Sequence, residues 1–253
     1  FERGNYVEAN QLLATAEQTE PDEPLVHAMI ASMAYLEGDS GLEEVAARAT
    51  LTKNAAQALL DSGEDPLRGH LYKAVGVFLE GAYILKTQGV ARATPTALGM
   101  LQEVFSELDK AEQIDAADSE LNLLKGYMDL MLAVNLPFAD PAAAIDQMDR
   151  YGSPAYLTQR GIAIGYRDLG QYPEAIEAVD RAIADAPNNP ELFYLKAQIL
   201  ARLDQRDESV IWFNKALEFK DQLPERLAKR IIWEGCIAEE KVGVNCADLM
   251  NAG

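Results

Sequence analysis

Two stretches of this chain superimpose at an offset of 34 residues. They are Ala175-Ile176-Glu177-Ala178-Val179-Asp180-Arg181-Ala182-Ile183 and Ser209-Val210-Ile211-Trp212-Phe213-Asn214-Lys215-Ala216-Leu217. The same offset carries Ala163 onto Ala197 and Tyr166 onto Leu200. A fixed period of this size marks a repeat array, in which each unit is one supersecondary element stacked on the next. Each unit reads as two helices. Ile162, Ala163 and Tyr166 share a face of the first, and Ala175, Val179 and Ala182 share a face of the second. Gly170-Gln171-Tyr172-Pro173 is the turn between them, with Pro173 near a helix start, where a missing N–H costs nothing. Pro187-Asn188-Asn189-Pro190 closes the unit, because proline disfavours helix just before itself.

These residues resemble the tetratricopeptide repeat (TPR) family, whose pattern runs W-x2-L-G-x2-Y, then A-x3-F, then P. The first copy has Gln159, Ile162-Ala163, Tyr166, Ala175, Val179 and Pro187 at those places. The second has Phe193, Lys196-Ala197, Leu200, Ser209, Phe213 and Ala216, with Asp221 where proline is usual. The resemblance implies an all-α, right-handed TPR-like α-solenoid of antiparallel helix pairs, with about five pairs and a cap. The expected organisation is residues 1–153 as degenerate helical repeats, 154–221 as two clear units and 222–253 as a capping helix and tail, in one continuous domain.

Composition agrees with an all-α chain of ordinary hydrophobicity: 49% hydrophobic and 25% charged residues over 253 positions. The formal charge is −19, unevenly spread. Residues 1–153 hold 10 basic against 25 acidic side chains, and residues 154–253 hold 12 against 16. Such a balance argues against nucleic-acid binding, which relies on cations to neutralise phosphates. The acidity suits a solvated surface or the steering of a basic partner. The longest apolar stretch, about Leu130 to Phe138, is too short to span a bilayer. The two cysteines, Cys236 and Cys246, are compatible with a disulfide that pins the tail and equally with two free thiols.

In chain order, Phe1 to Pro21 reads as the back half of a repeat. Gly4-Asn5-Tyr6 matches the turn Gly170-Gln171-Tyr172, and Ala9, Leu13 and Ala16 match Ala175, Val179 and Ala182. A second helix without its first leads to the expectation that the chain lacks its natural N-terminus. Together with the tail cysteines, this leans towards an extracytoplasmic setting. Helices are then expected from Pro24 to Gly38, Leu42 to Leu60 and Leu67 to Lys86. The last carries Gly69, Gly76 and Gly81, each costing about 1 kcal/mol against alanine inside a helix, which points to close packing by a neighbouring helix, with close approach by a ligand as the alternative. Thr94-Pro95 is expected to open the next helix, with Thr94 as its N-cap. Asp118-Ser119 starts another. Leu136-Pro137-Phe138-Ala139-Asp140-Pro141 reads as a rigid connection, Ala142 to Arg150 as a short helix, and Pro224 to Ile237 as a cap with Arg230 and Glu234 on its polar side. Gly243 to Gly253 reads as a loose tail.

No phosphate loop, dinucleotide fingerprint, nucleophile elbow, HExxH or CxxC is present. Asp115 to Glu120 has oxygen ligands without the spacing or glycine of a calcium loop. His27 falls where the repeat pattern has its tryptophan and is expected to pack. Arg68, His70 and Tyr72 form the one other polar grouping, better read as a helix start with a satisfied histidine. The chain is therefore expected to be no enzyme, with no catalytic residue, metal or cofactor.

The resemblance implies that the inner face of each first helix lines a concave groove that takes an extended peptide or a partner helix. Carried onto this chain, the groove positions are Leu157, Arg160, Ile164, Arg167 and Asp168, then Glu191, Tyr194, Gln198, Ala201 and Arg202. Arg160, Arg167 and Arg202 would form a cationic strip, and arginine forks bind carboxylates bidentately. Asp168, Glu191 and other local acids are the competing partners for these arginines. The chaperone-binding subclass has Asn where Ile164 and Leu195 stand here, which argues against a chaperone-tail clamp. The expected function is a non-catalytic scaffold for a protein or peptide partner. The alternative is an assembly subunit acting by self-association, as a homo-oligomer, or by docking to a larger complex.

Overall fold

The computed structural model describes residues 1–133, 140–239 and 246. Several of its helices begin at a polar residue followed by proline. α2 (Pro24–Leu36) follows Glu23, α4 (Pro66–Gln88) follows Asp65, α7 (Pro141–Tyr151) follows Asp140, and α10 (Pro190–Arg202) follows Asn189. In each case the side-chain oxygen accepts from a backbone N–H of the first turn, at 2.9 to 3.2 Å. Proline supplies a preset φ where no donor is needed, and the cap satisfies a donor the helix itself cannot. Among the described residues every regular element is helical. The all-α, TPR-like class is thus what the structure shows. The chain divides into two units, Glu8–Leu121 and Asn122–Gly253 with Phe1–Val7.

In the unit of residues 8–121, α1 (Tyr6–Thr19) contributes Ala9 and Leu13 to the interior. α2 pairs with α3 (Leu42–Ser62), α3 with α4, and α4 with α5 (Val90–Ile114). His27 is buried: its Nε2 lies 2.8 Å from the Pro21 carbonyl and its Nδ1 3.3 Å from Arg48 Nη1. Arg48 also binds Glu17 and Glu44. The expected packing role of this histidine holds, with its ring held by two hydrogen-bond partners. The close approach expected from the glycines holds at two of three. A Cβ on Gly76 would stand 2.5 Å from Lys53 Cγ and 3.1 Å from the Ala49 carbonyl. One on Gly69 would stand 2.7 Å from the Leu60 side chain. At Gly81 the nearest atom is the Met100 sulfur at 3.9 Å, so no crossing demands glycine there.

One boundary needs correction. α5 starts at Val90, not at Thr94-Pro95. Gly89, at φ 78°, makes the break after α4 and allows the next helix to begin at once. Thr94 Oγ1 donates back to the Val90 carbonyl at 2.7 Å, a bond internal to the helix, and Pro95 lies inside it.

In the other unit, α6 (Ser119–Ala133), whose first residues belong to the preceding unit, leads to α7. α8 (Ala155–Asp168), α9 (Tyr172–Asp185), α10, α11 (Arg206–Leu217) and α12 (Glu225–Ala238) follow, each packed on the one before. The 34-residue period is visible in the backbone. Gly170 at φ 77° and Asp204 at φ 59° make the same turn, and helices begin two residues later, at Tyr172 and Arg206. Gln171 N–H donates to the Tyr166 carbonyl at 2.8 Å, and Gln205 N–H to the Leu200 carbonyl at 3.0 Å. Gly4, at φ 62°, likewise precedes a helix that begins at Tyr6. Ala163, Ala175, Ala178, Val179, Ala182, Ala197 and Ala216 are fully buried where the helices cross. Ser209 takes the place of Ala175 and donates to the Ala197 carbonyl at 2.8 Å, so its hydroxyl is buried without being orphaned.

Cys236 and Cys246 form a disulfide, with Cα atoms 5.8 Å apart. The connection expected at Leu136 to Ala139 and the tail from Gly243 onward, Cys246 excepted, lie outside the described residues. Among the described residues, no helix is long and apolar enough to cross a membrane.

Candidate groove on the inner helices

The groove is built by α8, α10 and α12. A cavity of about 290 Å³ is lined by Arg160, Ile164, Arg167, Tyr194 and Gln198, with Leu227 and Arg230 of α12. Five of the six residues expected to bind a partner therefore meet at one place. The sixth, Arg202, lies in a larger adjoining cavity of about 620 Å³, which Arg167, Gln198 and Arg230 also line.

The three arginines of the expected strip differ in environment. Arg160 Nη2 stands 3.6 Å from Glu191 Oε1. Burial opposes its charge, but Glu191 and the Tyr127 hydroxyl raise its pKa above the ordinary arginine value. Tyr6 closes over the same cluster: burial, then the charge of Glu191 and a hydrogen bond to it, push its hydroxyl well above the usual range. Asn189 Nδ2 donates to the Glu2 carbonyl at 3.0 Å and holds the N-terminal segment against this end of the groove. Arg160 is thus engaged by the chain's own residues. Arg167 donates to Asp168 at 2.7 Å and to Gln198 Oε1 at 2.8 Å. Arg202 is exposed and makes no ion pair among the described residues.

A hydrogen-bonded chain crosses the groove floor. Gln198, oriented by Arg167, donates to Glu234 Oε2 at 2.8 Å. Tyr194 and Arg230 donate to Glu234 Oε1 at 2.8 and 2.9 Å. Burial and then the Glu234 carboxylate push the Tyr194 hydroxyl up, so it stays a donor across the biological pH range. With every member satisfied, such a network fixes side-chain orientation.

Sequence reasoning missed Tyr6, Arg230 and Glu234. Arg230 and Glu234 stood on the polar side of the expected cap, yet they face the groove. For Arg230 the signal was a period one residue longer: α10 begins at Pro190 and α12 at Glu225. At that spacing the groove residues Leu195, Gln198 and Arg202 recur as Arg230, Trp233 and Ile237, all of which line the cavities.

Arg68, His70 and Tyr72 do not surround a common space. Arg68 grips Asp118 with two bonds of 2.9 and 3.0 Å, and Tyr72 donates to Glu120. His70 turns to Glu107 at 2.6 Å, beside Lys73 and Lys110. Among the described residues no three His, Cys, Asp or Glu side chains gather as metal ligands.

A tetratricopeptide repeat family model matches residues 160–224. Among solved structures, the chain is similar to PilW, a widely conserved type IV pilus biogenesis factor. Identity is 16%, the match covers 90% of this chain and 89% of that one, and the TM-score is 0.55, a likeness of fold. A tetratricopeptide repeat protein from Parabacteroides merdae matches at 14% identity over 98% of this chain and 92% of that one, with a TM-score of 0.48. No curated protein matches the sequence. Two in-phase copies with the same turn and the same buried small residues, together with the matched family model, identify residues 160–224 as tetratricopeptide repeats.

Proposed function

We propose that the inner face of α8, α10 and α12 binds a segment of a protein partner and that the chain works as a non-catalytic scaffold. The observation that carries this reading is the pair of adjoining cavities on that face, whose polar walls are held by the Arg167–Gln198–Glu234–Tyr194 chain. A site already ordered before binding lowers the entropic cost of association. The part of the groove available to a partner runs from Arg167 to Arg202, because Tyr6 and Glu191 take up Arg160 at the other end.

The test is affinity capture from source extract with wild type beside an Arg167→Ala/Arg202→Ala variant, each checked for an unchanged melting temperature. A partner held by wild type and lost by the folded variant supports the groove. A partner retained by both overturns it. A mass that rises with concentration and no captured partner would replace it by self-association.

A further inference from the structure

The larger cavity has a chemistry at odds with the rest of the protein. Four guanidinium groups line it, Arg167, Arg202, Arg206 and Arg230, against two carboxylates, Asp168 and Glu234. Beside Gln198, its remaining wall is apolar and includes Phe213 and Trp233, with Ile237 49% exposed at the rim. The whole chain carries −19. Three of the arginines have internal acids, Arg167 with Asp168, Arg206 with Asp204 and Arg230 with Glu234. Arg202 has no such partner among the described residues.

Resting on the groove reading above, we propose that this cavity selects an acidic segment within a partner chain, one that carries several carboxylates beside a large apolar side chain. The guanidinia come from α8, α10, the start of α11 and α12, so they surround the space rather than converge on one point. A single chain terminus would engage one fork; several side-chain carboxylates use them all. Trp233 and Ile237 offer the apolar neighbour a place to leave water. The negative charge elsewhere on the protein does not defeat this. At physiological ionic strength, charges beyond about 8 Å are largely screened, whereas the four arginines would touch the ligand. A nucleic acid would not be favoured, because its phosphates would extend past the cavity onto the acidic surface.

The experiment uses the full chain and a fluorescent, C-terminally amidated peptide of paired aspartates and glutamates interspersed with leucine and phenylalanine. Its Asn/Gln counterpart and a counterpart with serine in place of the apolar residues serve as comparators. Anisotropy at physiological salt should show binding of the acidic apolar peptide and at least roughly tenfold weaker binding of either comparator. Arg202→Ala, at an exposed position that leaves folding intact, should weaken binding roughly tenfold, and Arg202→Glu further. Equal binding of the Asn/Gln peptide, a strict need for a free C-terminus, or indifference to Arg202→Glu would each overturn the proposal. So would failure of the acidic peptide to bind. Failure here alongside groove-dependent capture of a natural partner would overturn the acidic class alone; capture indifferent to Arg167 and Arg202 would overturn the groove itself.

Discussion

The α8–α11 stretch and the α2–α5 stretch both bring helices close by placing small residues at the crossings, but they hold the result differently. In α8–α11 the helices are 12 to 14 residues long, and buried alanines recur at a fixed spacing, with Gly161 and Gly165 of α8 admitting Tyr127, Met148 and Leu130. In α3, α4 and α5 they are 21, 23 and 25 residues long, glycines admit large side chains such as Leu60 and Lys53, and ion pairs secure the ends. Arg68 grips Asp118 and Glu120, and His70 meets Glu107 between Lys73 and Lys110. A repeat reuses one packing solution, so each position has a counterpart. The longer helices have no counterpart to copy, and individual polar contacts fix their alignment.

The largest expected effect tests whether the repeat copies are interchangeable. Val179 and Phe213 are counterparts, both buried, but Phe213 alone packs an aromatic ring among Tyr194, Ala216 and Ile231. Phe213→Ala should cost about 3–5 kcal/mol, and Val179→Ala about 2 kcal/mol. Urea denaturation of both variants checks this. Equal losses would mean that the second copy relaxes around its cavity and that ring size does not anchor α12.

The same contrast explains what could be read from sequence. Within α8–α11 the turn at Gly170, its counterpart at Asp204 and the buried alanines all follow from one offset. The existence of α3 and α4 was legible too, from their capping residues and apolar stripes. The ion pairs were not: Arg68 and Asp118 are 50 positions apart with nothing periodic to join them. The groove was half legible. Residues on α8 and α10 followed from the period, but α12 begins one residue late. That is a rotation of roughly 100° about the helix axis; it brings Arg230 to the place of Leu195, whereas Glu234 falls on the place of the buried Ile199 and follows from no such offset. Tyr6 was out of reach, because only packing reveals that a turn near the N-terminus closes over Glu191 and Arg160.

A second prediction addresses the ionic locks. Burial alone would raise the Asp118 carboxyl, but the Arg68 fork and the Leu121 N–H hold it below the usual carboxylate range. Glu107 is likewise held down against burial by Lys110 and His70. A carboxyl depressed in the folded state contributes stability that is present above its unfolded pKa, about 4, and lost as pH falls through the folded value. Asp118→Asn keeps an oxygen for the Leu121 cap and removes the charge and the second acceptor of the Arg68 fork. It should cost about 1–2 kcal/mol at neutral pH and less in acid, as the wild-type carboxyl takes up its own proton. Denaturation at neutral and acid pH provides the check. An equal deficit at each would trace the effect to the cap and not to the ion pair.

The smallest expected effect has opposite signs at two counterpart positions. Gly170 and Asp204 both adopt positive φ, a conformation that costs a residue with a Cβ about 1 kcal/mol or more, and glycine almost nothing. Asp204 offsets part of this by accepting from Arg206 at 3.1 Å, but that pair is largely exposed and contributes only about 0–1 kcal/mol. Asp204→Gly should therefore stabilise the protein by roughly 0.5 kcal/mol, after allowance for the greater freedom of glycine in the unfolded chain. Gly170→Ala should destabilise it by about 1 kcal/mol. Paired thermal melts would resolve the two signs. If Asp204→Gly instead destabilises, then the Asp204–Arg206 contact outweighs backbone strain, and the second turn is held by its side chains where the first is held by its glycine.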